Sequence, residues 1–340
     1  RTMSTTRMLG ALCATFLAVA PLQAAEVNVY SGRAEAFLKP LFEDFTKETG
    51  IKVNLVSGKD DALIERLKAE GAQSPADLLM TADAGRLHRA KEAGVLQAID
   101  APILAAAIAA AYRDGGSQWF GLTMRARVVV YAPGRVKPEE LSTYENLADA
   151  RWKGRLCMRS SDSIYNQSLT ASLIAHDGEE PTLAWAKGMV ANLARSPKGG
   201  DRDQIKAIAA GECDVSLVNT YYLAGMLNAK EASERDAAEK VRVFWPNQQG
   251  RGTHVNISGA GVTAAARNVD EARKLLEFMV SDRVQNWYAE VNHEYPVKAG
   301  IEVSPTLRAF GEFKADALPL SRLGELNAPA VRLLDRAGWR

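Results

Sequence analysis

Two tyrosines stand side by side, Tyr221 and Tyr222, in the stretch VSLVNTYYLAGM at 215–226. The apolar run at 215–218 reads as a buried strand and 223–227 as the start of a helix. Asn219 and Thr220 supply cap-type residues at the junction. Successive helix residues point about 100° apart, so two neighbouring phenols reach one point only near the end of an element. A strand-to-helix corner is such an end, and ligands of open α/β sheets collect there. Two phenolic oxygens aimed at one spot suit a hard, highly charged cation, and Fe(III) fits best. Tyrosines also serve as half-buried packing with wet hydroxyls, so the reading depends on what else the chain supplies.

Tyr165, in SSDSIYNQS at 160–168, follows a strand expected at 154–158 and precedes a helix expected at 168–176. It occupies the same kind of corner as the doublet. Three phenolates would neutralise the charge of ferric iron. A free phenol titrates near 10, but a bound cation deprotonates an acidic ligand, and helix N-termini favour the anionic form. Arg33 follows the first strand in YSGR at 30–33, where Gly32 allows close backbone approach and a guanidinium is suited to hold an anion bidentately. Arg125 and Arg127 share one face of a strand in GLTMRARVVVY at 121–131 and are further candidates.

Other polar residues carry less. His88, His176, His254 and His293 are scattered and read as surface or structural residues. Asp83 is placed to cap a helix or to line the cleft. No Ser–His pairing follows a nucleophile-elbow pattern, and Ser258-Gly-Ala-Gly261 lacks phosphate-loop or dinucleotide spacing. With no catalytic constellation, binding is the expected work, not turnover.

Elements must position these groups. The first 25 residues read as a cleavable export signal: Arg1 and Arg7, an apolar run at 8–20, then a small-residue zone at 21–25. Cleavage after Ala24 and after Ala25 are both compatible with it. The run is too short to span a bilayer, and Leu12 before Cys13 does not suit a lipoprotein anchor. A periplasmic protein without stable membrane insertion is the expectation. The 340 residues carry a net charge of only +1, with signs mixed and no basic run, which argues against a nucleic-acid partner. Once Cys13 leaves with the signal, Cys157 and Cys213 remain, and two thiols in an oxidising compartment read as a disulfide.

Strands at 27–30, 51–56 and 77–81 alternate with helices at 36–49, 62–69 and 84–93, a pattern that implies a parallel, doubly wound sheet. A long strand at 119–131 and another at 256–263 are placed to cross between two lobes. Between them fall helices at 168–176, 182–193 and 204–210 and a strand at 214–218, with a further helix at 269–280. The fold expected is α/β, with two doubly wound domains joined by crossing hinge strands around a cleft. The first lobe takes 26–127 with 256–299, and the second 128–255 with 300–340.

With these residues assembled, the chain resembles the bacterial periplasmic ferric-iron-binding proteins that feed ABC importers. The likeness is carried by VYSGR at 29–33, DLLMTADAGR at 77–86, GLTMRARVVVY at 121–131, NTYY at 219–222 and NHEYPV at 292–297. The resemblance implies the two-lobed periplasmic binding protein fold, Fe(III) ligation by Tyr165, Tyr221 and Tyr222, and a synergistic anion such as carbonate on Arg33 and Arg125. It also implies a monomer that meets an ABC permease transiently. Some members add a His-Tyr or a His-and-Glu contribution from the first lobe. Here Ala34, Glu35 and Ala36 follow Arg33, which fits the tri-tyrosine, anion-assisted branch and leaves Glu35 as the one alternative ligand there. Two rival functions stay open: a binding protein of the same fold for an organic or oxyanion solute, and an exported enzyme using the cleft.

Overall fold

The computed structural model describes residues 24–340; apart from Ala24 and Ala25, the expected export signal lies outside the described residues. Strand β1 (Glu26–Ser31) leads through α1 (Glu35–Thr49), β2 (Lys52–Ser57), α2 (Asp60–Glu70) and β3 (Leu78–Ala82) to α3 (Ala84–Glu92) and α4 (Pro102–Ala107). Then come the long β4 (Phe120–Tyr131), helices α5 (Ile164–Asp177), α6 (Glu179–Ala191) and α7 (Asp201–Ala209), and β5 (Val215–Asn219). After α8 (Thr220–Leu227) and α9 (Ala232–Glu239) follow β6 (Arg242–Phe244), β7 (Val255–Val262), α10 (Val269–Met279) and α11 (Asp282–Val291). The chain ends with β8 (Tyr295–Pro296), α12 (Pro305–Ala309), α13 (Ser321–Glu325) and α14 (Asn327–Arg336).

Each early helix forms for a local reason. α1 buries Leu38, Leu41, Phe42 and Phe45 along one stripe and stops where Gly50 takes a left-handed conformation at φ 73, one that glycine adopts at little cost. The βα alternation yields parallel pairing of β1 with β2 and with β3. The sheet then continues β3-β7-β4-β5 through antiparallel ladders. Gly259 and Gly261 let β7 lie this close to its neighbours: a Cβ on either would come within 2.4 Å of a backbone oxygen, of Phe120 or Gln118.

β4 changes partner partway along its length. Up to Ala126 it pairs with β7, and from Arg127 onward with β5. This single strand therefore ties the two ladders together, and the side chains at its crossing point, Arg125 and Arg127, are buried.

Two expectations are corrected. No strand forms at 154–158; Leu156 makes isolated parallel bridges to Leu193 and Val215 instead. Gly154 turns the chain at φ 71 and a turn closes at Ser160–Ser163, so too little extended backbone lies between for a ladder. Helix α5 starts at Ile164 and not at 168, which moves Tyr165 from the preceding corner into the helix's own first turn.

Cys157 and Cys213 form a disulfide with an S–S distance of 2.06 Å, and both residues are buried. The bridge closes a separation of 56 residues, for which restriction of the unfolded chain is worth about 4 kcal/mol. Denaturant unfolding with and without reductant measures this. A midpoint that does not fall on reduction would mean that the bridge adds nothing. Among the described residues, no helix is long and apolar enough to cross a membrane.

Candidate metal centre

Tyr221 and Tyr222 lie in the first turn of α8, directly after β5, and Tyr165 lies in the first turn of α5. The Tyr165 hydroxyl is 3.1 Å from that of Tyr221 and 3.4 Å from that of Tyr222. The rings of the doublet sit with centroids 4.3 Å apart and an interplanar angle of 33°. Three phenolic oxygens thus meet at one point, near enough for a single ion to touch all of them. Two helix N-termini converge there, and their dipoles favour negative charge on the oxygens. Among the described residues, no group of three or more His, Cys, Asp or Glu converges in a way that could hold a metal. The donor set is phenolic, and such oxygen donors suit a hard cation.

Burial pushes the Tyr221 phenol well above its ordinary value, and the neighbouring Tyr165 and Tyr222 add to the shift, with Arg125 opposing it. Tyr222 is raised in the same way, by burial first and then by Tyr165 and Asp201. Without a cation, both phenols keep their protons at neutral pH. A bound trivalent ion reverses that preference.

Guanidiniums surround the tyrosines. The carbons of Arg125, Arg127 and Arg159 lie 5.7, 5.8 and 5.1 Å from the Tyr165 ring centre. Both outer nitrogens of Arg127 are committed: they donate to Asn219 at 3.0 Å, Asn166 at 2.9 Å and Asp201 at 3.3 Å. Asp201 also accepts from Arg159 at 3.1 Å. Arg127 is therefore the buried prop under α5 and β5 that holds the tyrosine-bearing helix starts in place. Asn219 caps α8 by position, but its side-chain oxygen goes to Arg127.

Arg125 differs. Its Nη1 donates to Ser258 at 2.8 Å, while Nε and Nη2 are buried and meet no hydrogen-bond partner among the described residues. That Nε–Nη2 edge is a bidentate donor suited to a small anion. Burial lowers the Arg125 pKa, but Tyr221, Tyr165, Asp83 and Glu294 outweigh it and raise it. Arg33 is already engaged. Its Nη2 donates to Glu294 at 2.5 Å and its Nη1 to the other carboxylate oxygen at 3.3 Å. Burial acts downward on Arg33 too, and Glu294, joined by Tyr288 and Tyr221, more than compensates.

Of the residues singled out from sequence, then, the three tyrosines and Arg125 come together, and Arg33 stands on the wall beside them, within electrostatic reach of Tyr221. Glu35 is exposed and lines a separate surface groove with Lys39 and Lys52. Asp83 caps α3 through Gly85 and also accepts from Ser168 of α5 at 2.7 Å. Its backbone takes φ 83, a strained value for a residue with a side chain, and its Oδ1 holds both the start of α3 and a contact with α5. His254 is buried among Arg127, Arg125 and Arg251, and burial first, then those charges, pull it down to about 3; it stays neutral. Sequence reasoning does not single out Glu294, although it lies in the stretch 292–297.

Residues 73–309 match the family model of the bacterial extracellular solute-binding proteins, and the chain belongs to that family. It is 51% identical to iron uptake protein A1 of Synechocystis over 95% of this chain and 90% of that one. The structure of Trichodesmium IdiA (FutA) in complex with iron and citrate superposes with a TM-score of 0.91 at 51% identity, covering 93% of this chain and all of that one. The ferric binding protein of Campylobacter jejuni superposes at 0.88 with 40% identity, covering 92% and 100%.

Proposed function

We propose that this chain captures Fe(III) in the periplasm and delivers it to an ABC-type permease, working by binding and lobe closure and not by catalysis. The observation that carries the reading is the convergence of the Tyr165, Tyr221 and Tyr222 hydroxyls at two helix N-termini. As phenolates they balance the charge of ferric iron. A synergistic anion, carbonate in this reading, takes the free edge of Arg125 and fills coordination positions that the tyrosines leave open, with Arg33 on the wall beside it. The lobes are drawn at 26–127 with 256–299 and at 128–255 with 300–340, along the change of partner strand in β4. The protein is read as a monomer that meets its permease transiently. Relatives named for iron uptake and ferric binding support the same reading.

The test is optical. Ferric iron added to the iron-free protein with bicarbonate is expected to produce a visible tyrosinate-to-iron charge-transfer band that saturates at one iron per chain. An organic or oxyanion solute would stack on or hydrogen-bond to the tyrosines without colour. Failure to develop the band would end the ferric reading.

A further inference from the structure

Among the described residues, Glu294 is the one carboxylate in direct contact with Arg33, and its side chain is 3% exposed. It grips both outer nitrogens of Arg33, the fork that would otherwise be offered to an anion. We propose that Glu294 sets the anion preference of the site: it keeps Arg33 closed, leaves Arg125 as the anion's guanidinium, and weakens the hold on multiply charged anions. Only the iron-loaded arm of the test below rests on the ferric reading; the rest concerns the protein without iron.

Charge supports this. Four guanidiniums face the tyrosines: Arg125, Arg127 and Arg159 over the Tyr165 ring, and Arg33 within reach of Tyr221. Three carboxylates answer them: Asp201 between Arg127 and Arg159, Glu294 on Arg33, and Asp83 near Arg125. One positive charge is left over, and ferric iron with three tyrosinates adds none. A singly charged anion matches that remainder, so carbonate would be held there in its singly charged bicarbonate form. Replacing Glu294 by a neutral residue leaves two positive charges and opens a second fork, so a dianion gains twice, by charge and by a new bidentate contact. Arg33 by itself is then silent towards anions because Glu294 cancels it. This differs from an Arg33 clamp, in which Arg33 contributes binding whether or not Glu294 is present.

The two accounts separate in a double-mutant cycle. Sulfate, as dianion, and nitrate, as monoanion, are titrated into iron-free protein at constant ionic strength, with binding followed by calorimetry and by thermal unfolding. Glu294→Gln keeps the side-chain shape and is expected to bind sulfate at least ten-fold more tightly than the wild type, with a smaller change for nitrate, and to recover with sulfate the stability lost by unpairing Arg33. Arg33→Gln leaves Glu294 unbalanced and is expected to bind both anions more weakly. The double variant R33Q/E294Q is expected to return to within about two-fold of wild type. In the iron-loaded arm, E294Q is expected to exchange bicarbonate for phosphate at ten-fold lower phosphate than wild type, read from a shift of the charge-transfer band. An unchanged sulfate-to-nitrate ratio in E294Q overturns the proposal. If E294Q does not fold, R33Q and the double variant still decide: a double variant that binds sulfate ten-fold more weakly than wild type makes Arg33 the clamp and overturns the role of Glu294. Absence of ferric colour in the wild type would sink the ferric reading while leaving these titrations of the iron-free protein intact.

Discussion

Tyr221→Phe is expected to weaken ferric binding by about 100-fold or more, a loss of about 2.7 kcal/mol, while the fold survives. The substitution removes one oxygen and leaves the ring. In the iron-free protein that oxygen makes one hydroxyl contact, with Tyr165 at 3.1 Å, so the cost to stability is only about 1 kcal/mol. In the loaded protein it removes an anionic donor from a trivalent ion in a half-buried site, where no His, Cys, Asp or Glu cluster among the described residues stands ready to replace it. Tyr222→Phe and Tyr165→Phe are expected to behave alike. Tyr112→Phe serves as the control, being a half-buried tyrosine away from the centre. Competition against a ferric chelator of known affinity reads the binding loss, and thermal unfolding reads the fold. Wild-type affinity in both doublet variants would remove the tyrosines from the coordination sphere.

How far such a centre can be read from a sequence depends on the range of the interactions that build it. Tyr221 and Tyr222 are legible because everything that aims them is local: an apolar strand, cap-type residues at Asn219 and Thr220, and a helix start, all within twelve residues. Tyr165 is legible for the same reason, although the element before it is not the expected strand. The bridges of Leu156 come from Leu193 and Val215, and no pattern near 154–158 tells a two-residue bridge from a strand. The alternation of strands and helices up to Glu92 is likewise local, and its boundaries fall within two residues of those expected. The antiparallel arrival of β7 beside β3 is not local; it depends on a chain return over more than 170 residues and on the missing Cβ atoms of Gly259 and Gly261.

Charge pairing is the least legible part. Arg33 and Glu294 are 261 positions apart, and Arg127 meets Asp201 across 74. Each arginine taken alone looks like a free cation. With the partners in view, Arg127 becomes a prop, Arg33 a closed fork, and Arg125 the guanidinium with an open edge. Arg33 and Arg125, both expected from sequence to hold an anion, are thus unequal for a physical reason: a carboxylate already fills one of the two forks.

Ferric binding is expected to release about three protons per iron, one from each ligating phenol. The sign follows from the direction of the shifts. Burial, reinforced by neighbouring phenols, raises Tyr221 and Tyr222 above the ordinary phenol value, so the iron-free protein holds those protons throughout the neutral range. Coordination needs the phenolate, and each proton lost adds a factor of about ten to the apparent affinity per unit rise in pH. With three ligating oxygens, lowering the pH from 7 to 6 at fixed ferric ion activity weakens binding by about 1,000-fold. Acid therefore favours release and alkali favours capture, and the steepness counts the oxygens. The measurement is a pH-stat titration with a ferric chelate of known protonation, corrected for the protons taken up by the freed chelator and by the co-bound anion. A corrected count near two would take one tyrosine out of the sphere. A count near zero would mean that iron binds without any phenolate, and the centre would have to be built from other atoms.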